Sequence, residues 1–144
     1  MENAWKKYQG EALKEVMDFS EGYKTYLTAS KTEREATLEA VALAKAAGFK
    51  SIDEYDTLKS GDKVYFVNRD KGVCLYVIGN EDIVKGINIL GAHIDSPRVD
   101  IKQHPLYEDN GLVLLDTHYY GGVKKYQWVA HPMALYGVVC KKDG

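Results

Sequence analysis

Cysteine is nearly absent from this chain of 144 residues: there are two, Cys74 and Cys140, each isolated on a strand-like segment. They make neither a disulfide framework nor a metal-ligand spacing, so they read as reduced core or interface residues of a cytosolic protein. An excess of one charge is missing too. With 19 basic and 21 acidic residues the formal net charge is -2, and no block of like charge marks a binding tail. That argues against a nucleic-acid partner. No apolar run follows the charged opening Met1-Glu-Asn-Ala-Trp-Lys-Lys, so no secretory leader is expected, and no run approaches membrane-spanning length. Internal repeats, low-complexity segments and the Gly-x-Ser-x-Gly elbow of serine hydrolases are also lacking. What remains is a soluble, cytoplasmic globular protein, long enough for a real core. Tyrosine is plentiful, with 11 residues partly concentrated at Tyr119, Tyr120, Tyr126 and Tyr136, as at an interface or a substrate surface.

The first third reads as helical. Trp5, Tyr8, Ala12, Val16, Phe19, Tyr23 and Leu27 recur at intervals of three and four, the face of an amphipathic helix. Gly10 and Gly22 are points where it could break. Its polar side is not rich in Lys and Arg, so packing on a sheet is expected rather than a membrane surface. Ser30-Lys-Thr-Glu33 is a capping-box pattern opening a second, Ala-rich helix that Gly48 closes. The acidic stretch Asp53-Glu-Tyr-Asp56 is expected to be a solvated linker rather than a metal cluster.

Val64-Tyr-Phe-Val67 and Val73-Cys-Leu-Tyr-Val-Ile78 are β-rich runs joined by a turn in which Gly72 is available for a positive φ. Val84 to Leu90 follows as a buried strand. Helices, a hairpin and a buried strand predict an α/β fold, a mixed sheet covered by helices. From Arg98 the helical period disappears. Arg98–Lys102, Leu112–Asp116 and Ala134–Val139 read as strands, with a turn over Tyr107–Gly111. A boundary is expected there, dividing the chain into residues 1–97 and a β-rich region, 98–144.

The densest chemistry lies at Gly91-Ala-His-Ile-Asp-Ser-Pro97, just after the apolar Ile87-Asn-Ile-Leu90. His93 and Asp95 are two residues apart, so an extended backbone points both to one side. A carboxylate beside an imidazole is the pairing by which an Asp fixes the tautomer of a metal-bound His. The same spacing also suits a buried His that is merely hydrogen-bonded. His104, before Pro105, is expected to be exposed in a turn. His118 and His131 flank the later Tyr-Gly-Gly stretch, with no spacing that ties them to His93.

Two segments together resemble a known family. Gly-Ala-His-Ile-Asp-Ser-Pro is similar to the first metal-ligand segment of the aspartyl-aminopeptidase family of dinuclear zinc aminopeptidases, Gly-His-x-Asp-Ser-Pro. Thr117-His-Tyr-Tyr-Gly-Gly through Trp128 to Tyr136-Gly-Val-Val139 resembles that family's Tyr-Gly-Gly segment and closing strand. The resemblance implies a zinc-aminopeptidase-like α/β/α domain begun by residues 1–97. Residues 98–144 would start a β-rich dimerisation domain within a homo-oligomer built on dimers. It implies peptide substrates and two zinc ions, with His93 a metal ligand and Asp95 the catalytic-site carboxylate that orients it. Tyr126 stands where the family has a His that crosses into a neighbouring subunit, and Ala130-His131 replaces its Asp-Arg pair. An acidic substrate preference is therefore not implied. The family's remaining ligands and general base lie beyond position 144, so the expectation is the N-terminal portion of a longer enzyme. The alternative is a catalytically inactive assembly or peptide-binding module of the same fold.

Overall fold

The computed structural model describes residues 3–144. Its first long element, helix α1 (Gly10–Ala29), starts at the first of the two glycines flagged in the sequence, and Ala4–Lys6 is a separate 3₁₀ turn. α1 packs against helix α2 (Glu33–Ala46) rather than the sheet expected from its apolar face. Trp5, Tyr8, Met17, Phe19, Tyr23 and Leu27 on α1 and its approach stay exposed. The reason is spatial: the sheet is short, and α2 already occupies the face it offers.

The capping box of α2 lies two residues later than expected. Thr32, with β-region backbone, accepts from the Glu35 N–H at 3.3 Å, and the Glu35 carboxylate accepts from the Thr32 N–H at 3.0 Å. Ser30 instead ends α1. At the other end Gly48 takes φ +86°, and Gly48 N–H and Phe49 N–H bond to Lys45 O and Ala44 O, the Schellman pattern.

Strands β1 (Lys50–Ser51), β2 (Lys63–Asn68) and β3 (Gly72–Val77) form one sheet, with β1 parallel and β3 antiparallel to β2. The fold class is therefore mixed α/β, as expected. The acidic stretch between β1 and β2 includes a 3₁₀ turn, Ile52–Glu54, capped by Ser51. Side chains alternate across β2. Tyr65 faces α2, where Lys45 Nζ lies 5.9 Å from its ring centroid and Ala36, Thr37 and Ala44 are buried. On the other face Val64, Phe66, Tyr76 and Ile78, with Ile52 and Leu58, line an open apolar groove of about 240 Å³. The β2–β3 turn corrects one detail: Arg69 (φ 51°) and Asp70 (φ 57°), not Gly72, carry the positive φ angles. Arg34 Nη1 reaches Asp70 Oδ2 at 3.3 Å.

Beyond β3 the expected strand Val84–Leu90 is not formed. Ile83–Lys85 is a 3₁₀ turn and residues 86–97 have no regular structure. Ile87, Ile89 and Leu90 are exposed, Leu90 fully. A buried strand needs ladder partners on its flanks and a layer on each face, and no strand among the described residues pairs with it.

The chain divides into two compact units, Met1–Ile94 and Asp95–Gly144. The second unit is a long hairpin of β4 (Arg98–Asp109) and β5 (Leu112–Tyr120), followed by a short helix, α3 (Lys125–Trp128). β4 runs through the residues expected to turn at Tyr107. The reversal is confined to Asn110-Gly111, both at positive φ, the favoured two-residue hairpin turn. A bulge interrupts the ladder. Leu106 pairs with Leu115 and Ile101 with Thr117, so residues 102–105 face the single residue Asp116. His104 sits there at φ 52°, exposed as expected but in a bulge rather than a turn. The bulge also accommodates Pro105, which has no N–H to give the ladder. Ala134–Val139 is not a strand; it is irregular and exposed, for the reason given for Val84–Leu90. Met1 and Glu2, the opening of the stretch read above for a leader, lie outside the described residues. No described helix is long and apolar enough to cross a membrane.

Candidate functional site

The two stretches singled out in the sequence meet within the second unit. Tyr120, the last residue of β5, donates its hydroxyl to Asp95 Oδ2 at 2.6 Å. That length is typical of a hydroxyl bound to a carboxylate. One residue on, Gly121 adopts φ +74°, and a Cβ there would lie 3.4 Å from Pro97. Asp95 and Pro97 of the first stretch thus rest on Tyr120 and Gly121 of the second. The left-handed backbone and close approach explain why a glycine follows the tyrosine.

Register explains how the contact arises. An unbroken ladder counted from the Asn110-Gly111 turn would set Tyr120 opposite Ile101. The bulge slides it to Arg98, three residues nearer Asp95. Arg98 sits over the ring, its guanidinium carbon 3.9 Å from the Tyr120 centroid, while its Nε donates to Asp100 Oδ1 at 2.7 Å. A stacked guanidinium restrains the ring and attracts its π face. Asp95, Arg98, Asp100 and Tyr120 are half-buried.

His93 is exposed in the irregular segment, two residues before Asp95. His118 lies on β5 with Nδ1 3.2 Å from Tyr119 O. His131 and Tyr126 are exposed. Cys74 and Cys140 are free thiols and both are exposed, which rules out the core position and leaves the interface position of the two expected. Their segments have few layers packed over them. The Cys74 thiol lies two residues from Tyr76 on one face of β3 and raises that phenol above its ordinary value. The hydrogen bond between them contributes most, then their charge interaction, with a smaller contribution from desolvation. The apolar groove on the sheet contains none of the candidate histidines or carboxylates.

Sequence reading named Tyr120 only among the tyrosines of an interface or substrate surface, and gave Arg98 no role. Strand-end position before Gly-Gly was a signal for the tyrosine. Its partner was hidden, because the offset created by a bulge is not written in side-chain alternation.

A sequence profile of the family described as aminopeptidase I zinc metalloprotease (M18) matches residues 26–144. A "Probable M18 family aminopeptidase 1" of Clostridium acetobutylicum is 51% identical over 146 residues, covering 99% of this chain and 31% of the relative. Among solved structures, aminopeptidase I from Borrelia burgdorferi B31 superposes with a TM-score of 0.85 at 41% identity, over 91% of this chain and 32% of that one. Aminopeptidase I from Clostridium acetobutylicum superposes at 0.80 with 48% identity, over 99% and 32%. The chain belongs to the M18 family of zinc metalloprotease aminopeptidases. It spans about a third of the length of these relatives.

Zinc takes His and carboxylate donors, of which His93 is one by type, but a catalytic site needs about three protein ligands. No group of three or more His, Cys, Asp or Glu positioned to hold a metal occurs among the described residues. These residues fit as part of a ligand set and do not complete one.

Proposed function

We propose that this chain is the part of a zinc aminopeptidase that carries the first metal-ligand segment and the root of its β-rich domain. The reading assigns hydrolysis of N-terminal residues from peptides, with two zinc ions in the complete site. His93 would be a ligand, and Asp95 would hold the imidazole in its metal-binding orientation. Family membership over residues 26–144 carries this, because the matched region contains Gly91-Ala-His-Ile-Asp-Ser-Pro97. Bound zinc in such enzymes polarises a carbonyl and acidifies a water. What these residues contribute is a donor and its orientation; the remaining ligands and the general base would come from outside them. Tyr126 can donate a hydrogen bond but carries no positive charge, so no preference for acidic N-terminal residues is assigned.

Residues 98–144 are assigned to dimerisation, in a cytoplasmic homo-oligomer built on dimers. Supporting this, a two-stranded hairpin is marginal alone in water, and among the described residues this unit fully encloses no large hydrophobic side chain.

Native mass spectrometry of the purified protein tests the proposal. A zinc-bearing multi-subunit assembly of subunits well above 16.2 kDa, whose peptidase turnover vanishes in His93→Ala, is the expected result. A metal-free 16.2 kDa species, or turnover that survives His93→Ala, would sink it. The first of those outcomes favours an inactive assembly or binding module.

A further inference from the structure

The root of the β4–β5 hairpin does more than end a strand pair. Three observations converge on the carboxylate of Asp95. The Tyr120 hydroxyl donates to its Oδ2 at 2.6 Å. The Arg98 guanidinium stacks on the Tyr120 ring at 3.9 Å and is itself held by Asp100 at 2.7 Å. Gly121, at φ +74°, brings the backbone after Tyr120 against Pro97. The ring is restrained on one face by Arg98, and its hydroxyl is committed to Asp95. A carboxylate that must present one oxygen in a fixed direction gains from having the other oxygen occupied, because free rotation about its last torsion is then removed.

We propose that Tyr120 is a positioning residue for Asp95, and that Arg98 and Asp100 act by locking the Tyr120 ring. This rests on the reading that Asp95 orients a metal-binding imidazole. It adds that the orientation is set from the β-rich hairpin, so a distortion of its first ladder pairs would be felt at the site. Tyr119, the next residue back, alternates to the opposite side of β5, where Lys125 Nζ lies 5.2 Å from its ring. It serves as the matched control.

The test is made on the zinc-loaded protein as its gene encodes it. Tyr120→Phe keeps the ring and removes the hydroxyl. The expected result is a fall in kcat of about 10–100-fold with KM within about twofold. Zinc affinity, measured by chelator competition, should weaken on the same scale, the usual consequence of removing a partner behind a metal ligand. Tyr119→Phe should change neither. A Tyr120→Phe protein that loses thermal stability but keeps the parent kcat and zinc affinity would overturn the assignment, since it would show a merely structural hydroxyl. If Tyr120→Phe yields no soluble protein, Arg98→Met decides: unchanged zinc affinity there also overturns it. Asp95→Asn separates the two levels. Loss of zinc affinity in Asp95→Asn without loss in Tyr120→Phe refutes only the role of Tyr120. No effect of Asp95→Asn refutes the reading beneath it.

Discussion

At the residue scale, single atoms decide what a side chain does. His93 and Asp95 stand two positions apart, yet a hydrogen bond to the Asp95 carboxylate comes from Tyr120, 25 positions away in sequence. Tyr76 shows the same principle on the first unit. Its phenol is raised above the ordinary value, principally by its hydrogen bond with Cys74. The folded state therefore holds that proton more tightly than the unfolded chain. The stability it contributes is fully present below the ordinary tyrosine value of about 10 and is lost as pH rises through the folded value. Site-labelled carbon NMR should place the Tyr76 titration above the ordinary tyrosine value of about 10. Cys74→Ala should bring it back toward that value; a titration unchanged by that substitution would assign the shift elsewhere.

At the scale of elements, turns and bulges set the register on which the site depends. The β4–β5 ladder is counted from Asn110-Gly111, and Gly111 holds φ +75° with nothing within 4 Å of where a Cβ would be. At Gly111→Val the added Cβ meets nothing, and the cost is that of a β-branched residue held in a left-handed conformation, at least about 1–2 kcal/mol. Denaturant unfolding should show that loss. Asn110→Gly, which suits the same turn, should show none of it. A Gly111→Val protein as stable as the parent would mean that the hairpin reverses elsewhere. The helix ends obey the same local rules: Thr32 with Glu35, and Gly48, bind the terminal backbone groups that would otherwise lack partners.

For the whole molecule the balance lies between buried and exposed apolar surface. The buried hydrophobic residues among those described are Ala36, Ala44, Val64 and Tyr65. Ordering a residue costs on the order of 1–2 kcal/mol of backbone entropy, so so small a core leaves little net stability. The apolar sides of α1, the groove beneath β2 and β3, and Ile87–Leu90 all remain accessible. Produced alone, these 144 residues are expected to bind the dye ANS strongly. Their urea dependence should fall below the roughly 1–3 kcal/mol/M of small cooperative domains. A dye-silent protein with a steep transition would show that these surfaces close on one another.

Helices α1 and α2 and the β2–β3 hairpin were legible in the sequence because each depends on neighbours within a few residues. Caps, alternation and the three-and-four spacing of apolar groups are local signals. The strands read into Val84–Leu90 and Ala134–Val139 failed for the complementary reason. Apolar β-rich composition states that a segment could be a strand, while ladder partners and covering layers decide whether it is one. The same holds for α1, whose apolar face was plain but whose neighbour was not. At the site, the sequence by itself determined which residues could do chemistry. Only the tertiary structure decided that Tyr120 holds Asp95 and Arg98 holds Tyr120, because a bulge at residues 102–105 moves the register in a way no local pattern records.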